Sequence, residues 1–507
     1  MQNFTQTPQL RILLILIMAL PLAATAQRKI SPTPQDKNAS PTLENIFRNY
    51  SLYTINPSEL VRRSDETAAA TVQLELHLPG YGNLQIEMGE NNIIAPNYKM
   101  IIAGPGGEQV SGKPNLVTYA GKLKNNANSS VRLTVSDQSI SGFITTNGRK
   151  LFIEPARYFA KGASASSIVV YDENDVIPVE GVFCASTEVA QRTESLPESN
   201  ARALGQCRII QMAIASDDSM LLRYGSPQML EERNISIMNM VNDIYTNTQL
   251  DFGYVMFQVS GQYISTTNAT NPYLPNFTVN DVDTLLTNFR NWGNAGHFGF
   301  TYDIGQLWTA RNITHYDRFG GVNSGVIGYA TVGAACGMNR YQVLEAFTGS
   351  MPQLSLTAAH EIGHNLGANH DASNEPYIMA PSINESNKQF SPTSIMSMTS
   401  YLLSASAGCI TSCGSLLEAQ FNMSQSAICV GNSVTLTDHT LSAPVITHRR
   451  WYLPGSTQEV VDNATTVSVT YTSPGVKTVT LEVMNQYSVV STMTKTIVVS
   501  TAPVAAR

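Results

Sequence analysis

Alternation of apolar and polar positions dominates the chain from about residue 70 to 160. The stretches TVQLELHLPG (71–80), SSVRLTVSDQSISGFITTNG (129–148) and KLFIEP (150–155) alternate in this way, with Asn, Gly and Asp between them. A period of two, bounded by turn formers, predicts strands with one buried face. A polar run, STEVAQRTESLPESNARALGQ (186–206), then reads as a linker. Beyond it the period changes. CRIIQMAIAS (207–216), GYVMFQV (253–259), YDIGQLWTA (302–310) and SGVIGYATVG (324–333) read as strands, whereas 226–248 and 279–292 have helical spacing. In the first helix Met229, Ile237, Met240, Val241 and Ile244 fall near one face. Ser226 and Pro227 supply its N-cap and a proline at the first helical position. From about 421 to 500 short alternating runs return, such as TVSVTYTSPGVKTVTLEVMNQ, and predict a small all-β sandwich.

A chain of 507 residues has room for three or four such units. Charged residues make up 14%, against an ordinary value of about 25%, and Asn, Ser and Thr fill the gap. The net charge is −7 and no long Lys/Arg run occurs, which argues against a nucleic-acid partner. At the N-terminus Arg11 precedes an apolar run from 12 to 22, followed by Ala-Thr-Ala at 24–26 and Gln27. That is the layout of a cleaved export signal over 1–26, too short for a lipid-spanning helix. No other segment is long enough to span a bilayer, so the expected location is secreted, or periplasmic or cell-surface in a bacterium. Cysteines in an oxidising compartment tend to pair. The six here (Cys184, Cys207, Cys336, Cys409, Cys413, Cys429) include no C-x-x-C, so disulfides are expected rather than a structural zinc cluster.

The candidate chemistry lies in HEIGHNLGANHD (360–371). Residues four apart on a helix share a face, so His360 and His364 can aim at one ion. Glu361, one step round, is badly placed as a ligand but can reach a molecule held at that ion. Gly367 tolerates positive φ and can end the helix, letting His370 return to the same point. Three neutral imidazoles with a fourth position open are how catalytic, as opposed to structural, zinc is held. A zinc-activated water with Glu361 as general base is chemistry for cleaving a peptide bond. The helix also carries an apolar face with Leu356, Ala359, Ile362 and Leu366.

The extended pattern H-E-x-x-H-x-x-G-x-x-H resembles the metzincin zinc endopeptidases. Asp371, directly after the third histidine, resembles their adamalysin (reprolysin, M12B-type) branch, and Met379 in YIMAPSI matches its Met-turn. The resemblance spans roughly 205–415 and implies an α/β (α+β) catalytic domain with a mixed sheet and an active-site helix. It implies that Met379 packs beneath the metal. It makes Val326, Ile327, Gly328, Tyr329 and Ala330 an edge strand that pairs with an extended peptide substrate, and it pairs Cys336 with Cys409. Residues 389–409 resemble the closing helix. The chain departs from animal members in the short DASNEPY segment before the Met-turn, in lacking disintegrin-like and cysteine-rich modules, and in having no tyrosine close behind Met379.

Residues 70–160 resemble the mainly β reprolysin propeptide, mostly through 141–155, which implies a latent zymogen inhibited by its own propeptide. Cys184 is the candidate switch cysteine, although Ala185 stands where the family usually has glycine; a disulfide to Cys207 or another partner is the alternative. Arg192 and Arg202 are candidate processing sites. The tail resembles PKD/immunoglobulin-like modules, with Trp451 in the place of their strand tryptophan. The expected multi-domain layout is therefore signal 1–26, propeptide 27–200, catalytic domain 201–420 and PKD-like sandwich 421–500. One catalytic zinc is expected, a structural calcium is left open, and proteins or peptides are the expected substrates. Alternatives are a silent adhesin with structural zinc, which would have no use for Glu361, and a zinc hydrolase of small amides, which would have no use for the edge strand.

Overall fold

The computed structural model describes residues 26–36, 41–59, 72–186, 206–273, 281–316, 321–383, 388–412, 417–440, 446–485 and 490–501, apart from isolated positions (79, 92, 125, 147, 249, 251, 252 and 418). The export signal before residue 26, most of the linker with Arg192 and Arg202, and Cys413 lie outside the described residues. None of the described helices is long and apolar enough to cross a membrane.

The alternating N-terminal stretches form one ten-stranded sheet running from Ala26–Ile30 at one edge to Thr33–Gln35 at the other. Val72–Leu78 shows why: each alternate residue from Val72 to Leu78 is buried, and those between are half-buried or exposed. Leu74, Leu76, Leu133, Val135 and Ile144 pack on one face, while Phe143, Phe152 and Tyr171 pack on the other.

A second large sheet carries the site, and its strands are numbered here in chain order. They are β1 (Ile94–Gly104), β2 (Gly107–Ser111), β3 (Phe183–Cys184), β4 (Gln206–Ser216), β5 (Gly253–Ser265), β6 (Ile304–Thr309), β7 (Ile313–Tyr316), β8 (Val322–Ala330), β9 (Tyr341–Glu345) and β10 (Thr411–Ser412). The order is β3-β8-β9-β6-β4-β5-β1-β2, with β7 paired to β8 and β10 to β4. Its middle is parallel: β4 lies between β5 and β6, and β6 pairs with β9. β8 returns antiparallel to β9. The helices are α1 (Asp218–Tyr224), α2 (Pro227–Thr246), α3 (Val282–Asn294), α4 (Met351–Asn365) and α5 (Pro392–Leu403). Ser226 caps α2 by accepting from the Met229 N–H, with Pro227 in the first turn, as the sequence predicts.

Three features depart from the sequence reading. Strand β9 was not legible, because all five of its residues are buried and a strand covered on both faces has no alternation. The N-terminal segment does not stay in its own sheet: β1 pairs in parallel with β5, and β2 folds back on β1. The expected single apolar face of α2 is also too narrow a description. Leu230, Ile237, Met238, Val241 and Tyr245 join the core beneath the second sheet, while Met240 packs with Phe143, Phe152 and Tyr171 of the N-terminal sheet. Met229 and Ile244 are only half-buried. The helix is sandwiched, so its polar side chains need partners inside the protein. Arg233 and Glu154 of the N-terminal sheet form an ion pair with both side chains fully buried. Arg233 also donates to the Gly349 carbonyl (2.6 Å), and Glu154 accepts from the Met351 N–H (3.3 Å) and the Tyr171 hydroxyl. Asp243 pairs with Arg132 at 3.2 Å, and the Tyr98 hydroxyl donates to Glu231 at 2.6 Å.

Burial pushes the Glu231 carboxyl up to about 7, against the pull of the Tyr98 hydrogen bond. The folded state therefore holds this proton more tightly than the unfolded chain. Its contribution to stability is present below about 4.5 and is lost as pH rises through about 7. Glu231→Gln, which keeps a neutral group, is expected to gain in melting temperature relative to the parent between pH 5 and pH 8. Paired thermal melts at the two pH values measure it, and an unchanged difference would contradict the assigned shift.

The C-terminal unit is the expected sandwich. A three-stranded sheet faces a five-stranded one around Trp451, whose indole N–H donates to the Ala464 carbonyl at 2.9 Å. Arg450 reaches the N-terminal sheet at Glu87, 3.2 Å away.

Candidate metal centre

Helix α4 begins after Ser350 with Pro352 in its first turn, and places Leu354, Ala358, Ala359 and Ile362 in the core. Leu356 is half-buried. The Tyr245 hydroxyl of α2 donates to the Ala359 carbonyl at 2.9 Å and ties the two helices together. His360, Glu361 and His364 follow, all but completely buried. The helix stops at Gly367 (φ +97°), whose N–H returns to the His364 carbonyl, while the Ala368 N–H returns to Gly363. A side chain at Gly367 would be strained there and would meet Tyr401 at 3.1 Å.

After that turn His370 comes back to the helix. Nε2 of His364 lies 3.1 Å from Nε2 of His360 and 3.2 Å from Nε2 of His370. The Nδ1 atoms of His360 and His364 donate to the Ile378 carbonyl (2.6 Å) and the Ala368 carbonyl (2.8 Å). With Nδ1 protonated, Nε2 of each neutral ring presents a lone pair. Lone pairs facing one another at this distance repel unless a cation sits between them. A four-coordinate zinc with bonds of about 2.0–2.1 Å needs its nitrogens roughly 3.3–3.4 Å apart. The residues present therefore fit such an ion. Burial, with His370 close by, lowers the His360 pKa to about 3, and burial with both neighbouring imidazoles holds His364 well below its ordinary value. Both rings are thus kept in the neutral form that ligates.

The support is built from the following segment. Met379 is fully buried, and a Cβ at Gly363 would lie 2.5 Å from its sulfur, so a glycine in α4 lets the Met-turn close beneath the histidines. The Asp371 N–H donates to the Met379 carbonyl at 2.9 Å, and its carboxylate accepts from Ser391 (2.6 Å) and Ser394 (3.3 Å) at the start of α5. Cys336 and Cys409 form a disulfide, as the resemblance implies, joining the segment after β8 to the segment after α5. Cys207 is also disulfide-bonded.

Glu361 points toward β8. A Cβ at Gly328 would fall 1.9 Å from Glu361 Oε1, so the carboxylate occupies space that only glycine leaves open. This oxygen has no hydrogen-bond partner among the described residues, and Oε2 accepts from the Ser186 hydroxyl at 3.3 Å. Burial pushes the Glu361 carboxyl up to about 8, with hydrogen bonds from Cys184 and Ser186 pulling it down.

The expected edge strand is already engaged by the chain itself. β3 runs parallel to β8, with Phe183 opposite Val326 and Cys184 opposite Gly328. The Ala185 N–H donates to the Gly328 carbonyl (3.0 Å), the Cys184 N–H to Pro381 (2.8 Å), and the Ala330 N–H to Ser186 Oγ (2.9 Å). Cys184 is a free, buried thiol, so the disulfide alternative fails for it. Its sulfur lies 3.6 Å from His364 Nε2, and it shares one cluster with the three histidines, all four ligand atoms within 4.8 Å of one another. Burial and the negative charge of Glu361 hold the thiol well above its ordinary pKa. Sequence reasoning missed Ser186 as a contact of Glu361; its only signal was a hydroxyl two residues after Cys184.

Comparison with known proteins agrees with this geometry. Residues 232–371 match the family model for reprolysin-like metallo-peptidases of family M12B, and 418–498 match the PKD domain. A zinc metalloproteinase-disintegrin-like protein (BfMP) of Bungarus fasciatus is 23% identical over 365 residues, covering 67% of this chain and 56% of that protein. A second, BmMP of Bungarus multicinctus, is 24% identical over 359 residues, covering 67% and 55%. The chain thus spans about half the length of these curated relatives. The crystal structure of metalloproteinase-II from Bacteroides fragilis superposes with a TM-score of 0.42 at 12% identity, over 75% of this chain and 99% of that one, too low a score to establish a shared fold. The three imidazoles and the adjoining glutamate lie within the segment that matches the reprolysin-like M12B metallo-peptidase model, Met379 lies just beyond it, and the C-terminal sandwich corresponds to the segment that matches the PKD domain.

Proposed function

We propose that this chain is an exported zinc-dependent endopeptidase, built as a latent zymogen in which residues 27–200 are the propeptide and 201–420 the catalytic domain. One observation carries the reading: the Nε2 atom of His364 lies 3.1 Å and 3.2 Å from those of His360 and His370, beside a buried carboxylate that is not one of the three. His360, His364 and His370 hold the ion, and Met379, Gly367 and Asp371 support them. When bound, zinc supplies the Lewis acidity that activates water and polarises a carbonyl. Glu361 takes the proton from the attacking water and hands it to the leaving amine. Val326, Ile327, Gly328, Tyr329 and Ala330 offer main-chain groups to an extended peptide once β3 has left. A disulfide in the catalytic part agrees with an oxidising compartment.

In the latent form Cys184 completes the donor set as the fourth group, and β3 covers the strand that a substrate would need. A full-length Cys184→Ala protein is therefore expected to hydrolyse an unfolded protein substrate at least about tenfold faster than the parent. Chelation should remove that activity and added zinc should restore it. A variant no more active than the parent would reject the switch, and chelator-resistant hydrolysis would reject the metal.

A further inference from the structure

Two of the contacts between the N-terminal unit and the rest of the chain are of very unequal extent. At the centre, β3 is two residues long; it and the two residues after it make the three backbone-donor hydrogen bonds described above, with Phe183 and Ala185 packed at the margin of a core. On the far side of the sheet the contact is a shared interior. β1 extends the second sheet by pairing with the edge of β5 from Val259 to Ser265, and Ile93, Ile94, Tyr98 and Met100 lie in the same core as α2 and α4. The outward side of α2 is polar, yet Arg233, Asn239 and Asp243 are each at most 2% exposed, because their partners come from the N-terminal unit. Separation would expose the β5 edge and strip a buried guanidinium of its carboxylate, leaving each group to be solvated afresh.

We propose that the outward face of α2 and the edge of β5 form a permanent seat for the N-terminal unit. A break in 187–205 then converts one chain into two that stay together without a covalent link. Identifying the N-terminal unit as the propeptide rests on the function proposed above; the seat itself does not. The centre is opened by withdrawal of the short β3 segment, not by departure of the whole unit.

The test uses the full chain with one specific protease recognition sequence placed within 187–205, in a Glu361→Gln background that prevents self-digestion. After complete cutting, verified on a denaturing gel, the product is run by size exclusion at micromolar concentration in 0.5 M salt. More than nine-tenths of both fragments are expected in one peak at the position of the intact chain. Fragments eluting apart, with the C-terminal one still melting cooperatively, would overturn the seat. The same cut in the parent background keeps the two readings distinct. Co-elution without any peptide hydrolysis would count against the peptidase and leave the seat intact; hydrolysis by a separated C-terminal fragment would do the reverse.

Discussion

Glu361→Gln is expected to lower peptide hydrolysis by about a hundred- to ten-thousandfold, the usual contribution of a positioned general base. The amide keeps the shape of the side chain in the space beside Gly328, so neither the helix nor the sheet is disturbed. It cannot take a proton from water. Because Glu361 is not among the three nitrogens that converge, zinc content measured by elemental analysis should stay at one per chain. His364→Ala should behave differently, losing metal and activity together, since His364 Nε2 lies within 3.2 Å of both other ring nitrogens. Measured in the unlatched Cys184→Ala background, a Glu361→Gln protein that still hydrolyses at the parental rate would remove Glu361 from the mechanism. One that loses its zinc would show that the carboxylate holds the ion instead.

The largest effect on stability is expected at Arg233. Removing its guanidinium in Arg233→Met leaves Glu154, which has no solvent exposure, as a buried charge without its counter-ion. Breaking such a pair from one side costs roughly 3–5 kcal/mol. Glu154 keeps the Tyr171 hydroxyl and the Met351 N–H, which soften the loss but carry no full positive charge. Adding Glu154→Gln to Arg233→Met neutralises the stranded group and should recover a large part of the difference. Urea unfolding of the parent, the single variant and the double variant reads this directly. A single variant within about 1 kcal/mol of the parent would mean that the pair is not a closed, dry contact in solution.

How much of this was legible in the sequence depends on how local each signal is. The histidine cluster was, because His360, Glu361, His364, Gly367 and His370 sit within eleven positions, where helix geometry aligns the first two histidines and a glycine turn returns the third. The alternating strands of the N-terminal sheet and of the C-terminal sandwich were legible for the same reason. Long-range matches were not. Arg233 and Glu154 lie 79 residues apart, and nothing at either position distinguishes them from exposed charges. Gly328 could be placed on an edge strand, but its need for no side chain comes from Glu361 on another element. The capture of β1 by the second sheet was hidden too, since a strand's pattern reports which face is buried and not which neighbour it pairs with.

The crosslink between Cys336 and Cys409 has a practical side. The two cysteines are 73 apart in sequence, and the loop between them contains His360, Glu361, His364, His370, Asp371 and Met379, every group of the centre except those on β8 and in the segment 183–186. In the chain-entropy picture a loop of this size restrains the unfolded ensemble by roughly 4 kcal/mol. Material made in a reducing cytoplasm would forgo that restraint throughout the region where the imidazoles must converge. Recombinant preparations should therefore differ in quality according to whether the host exports the chain before it folds.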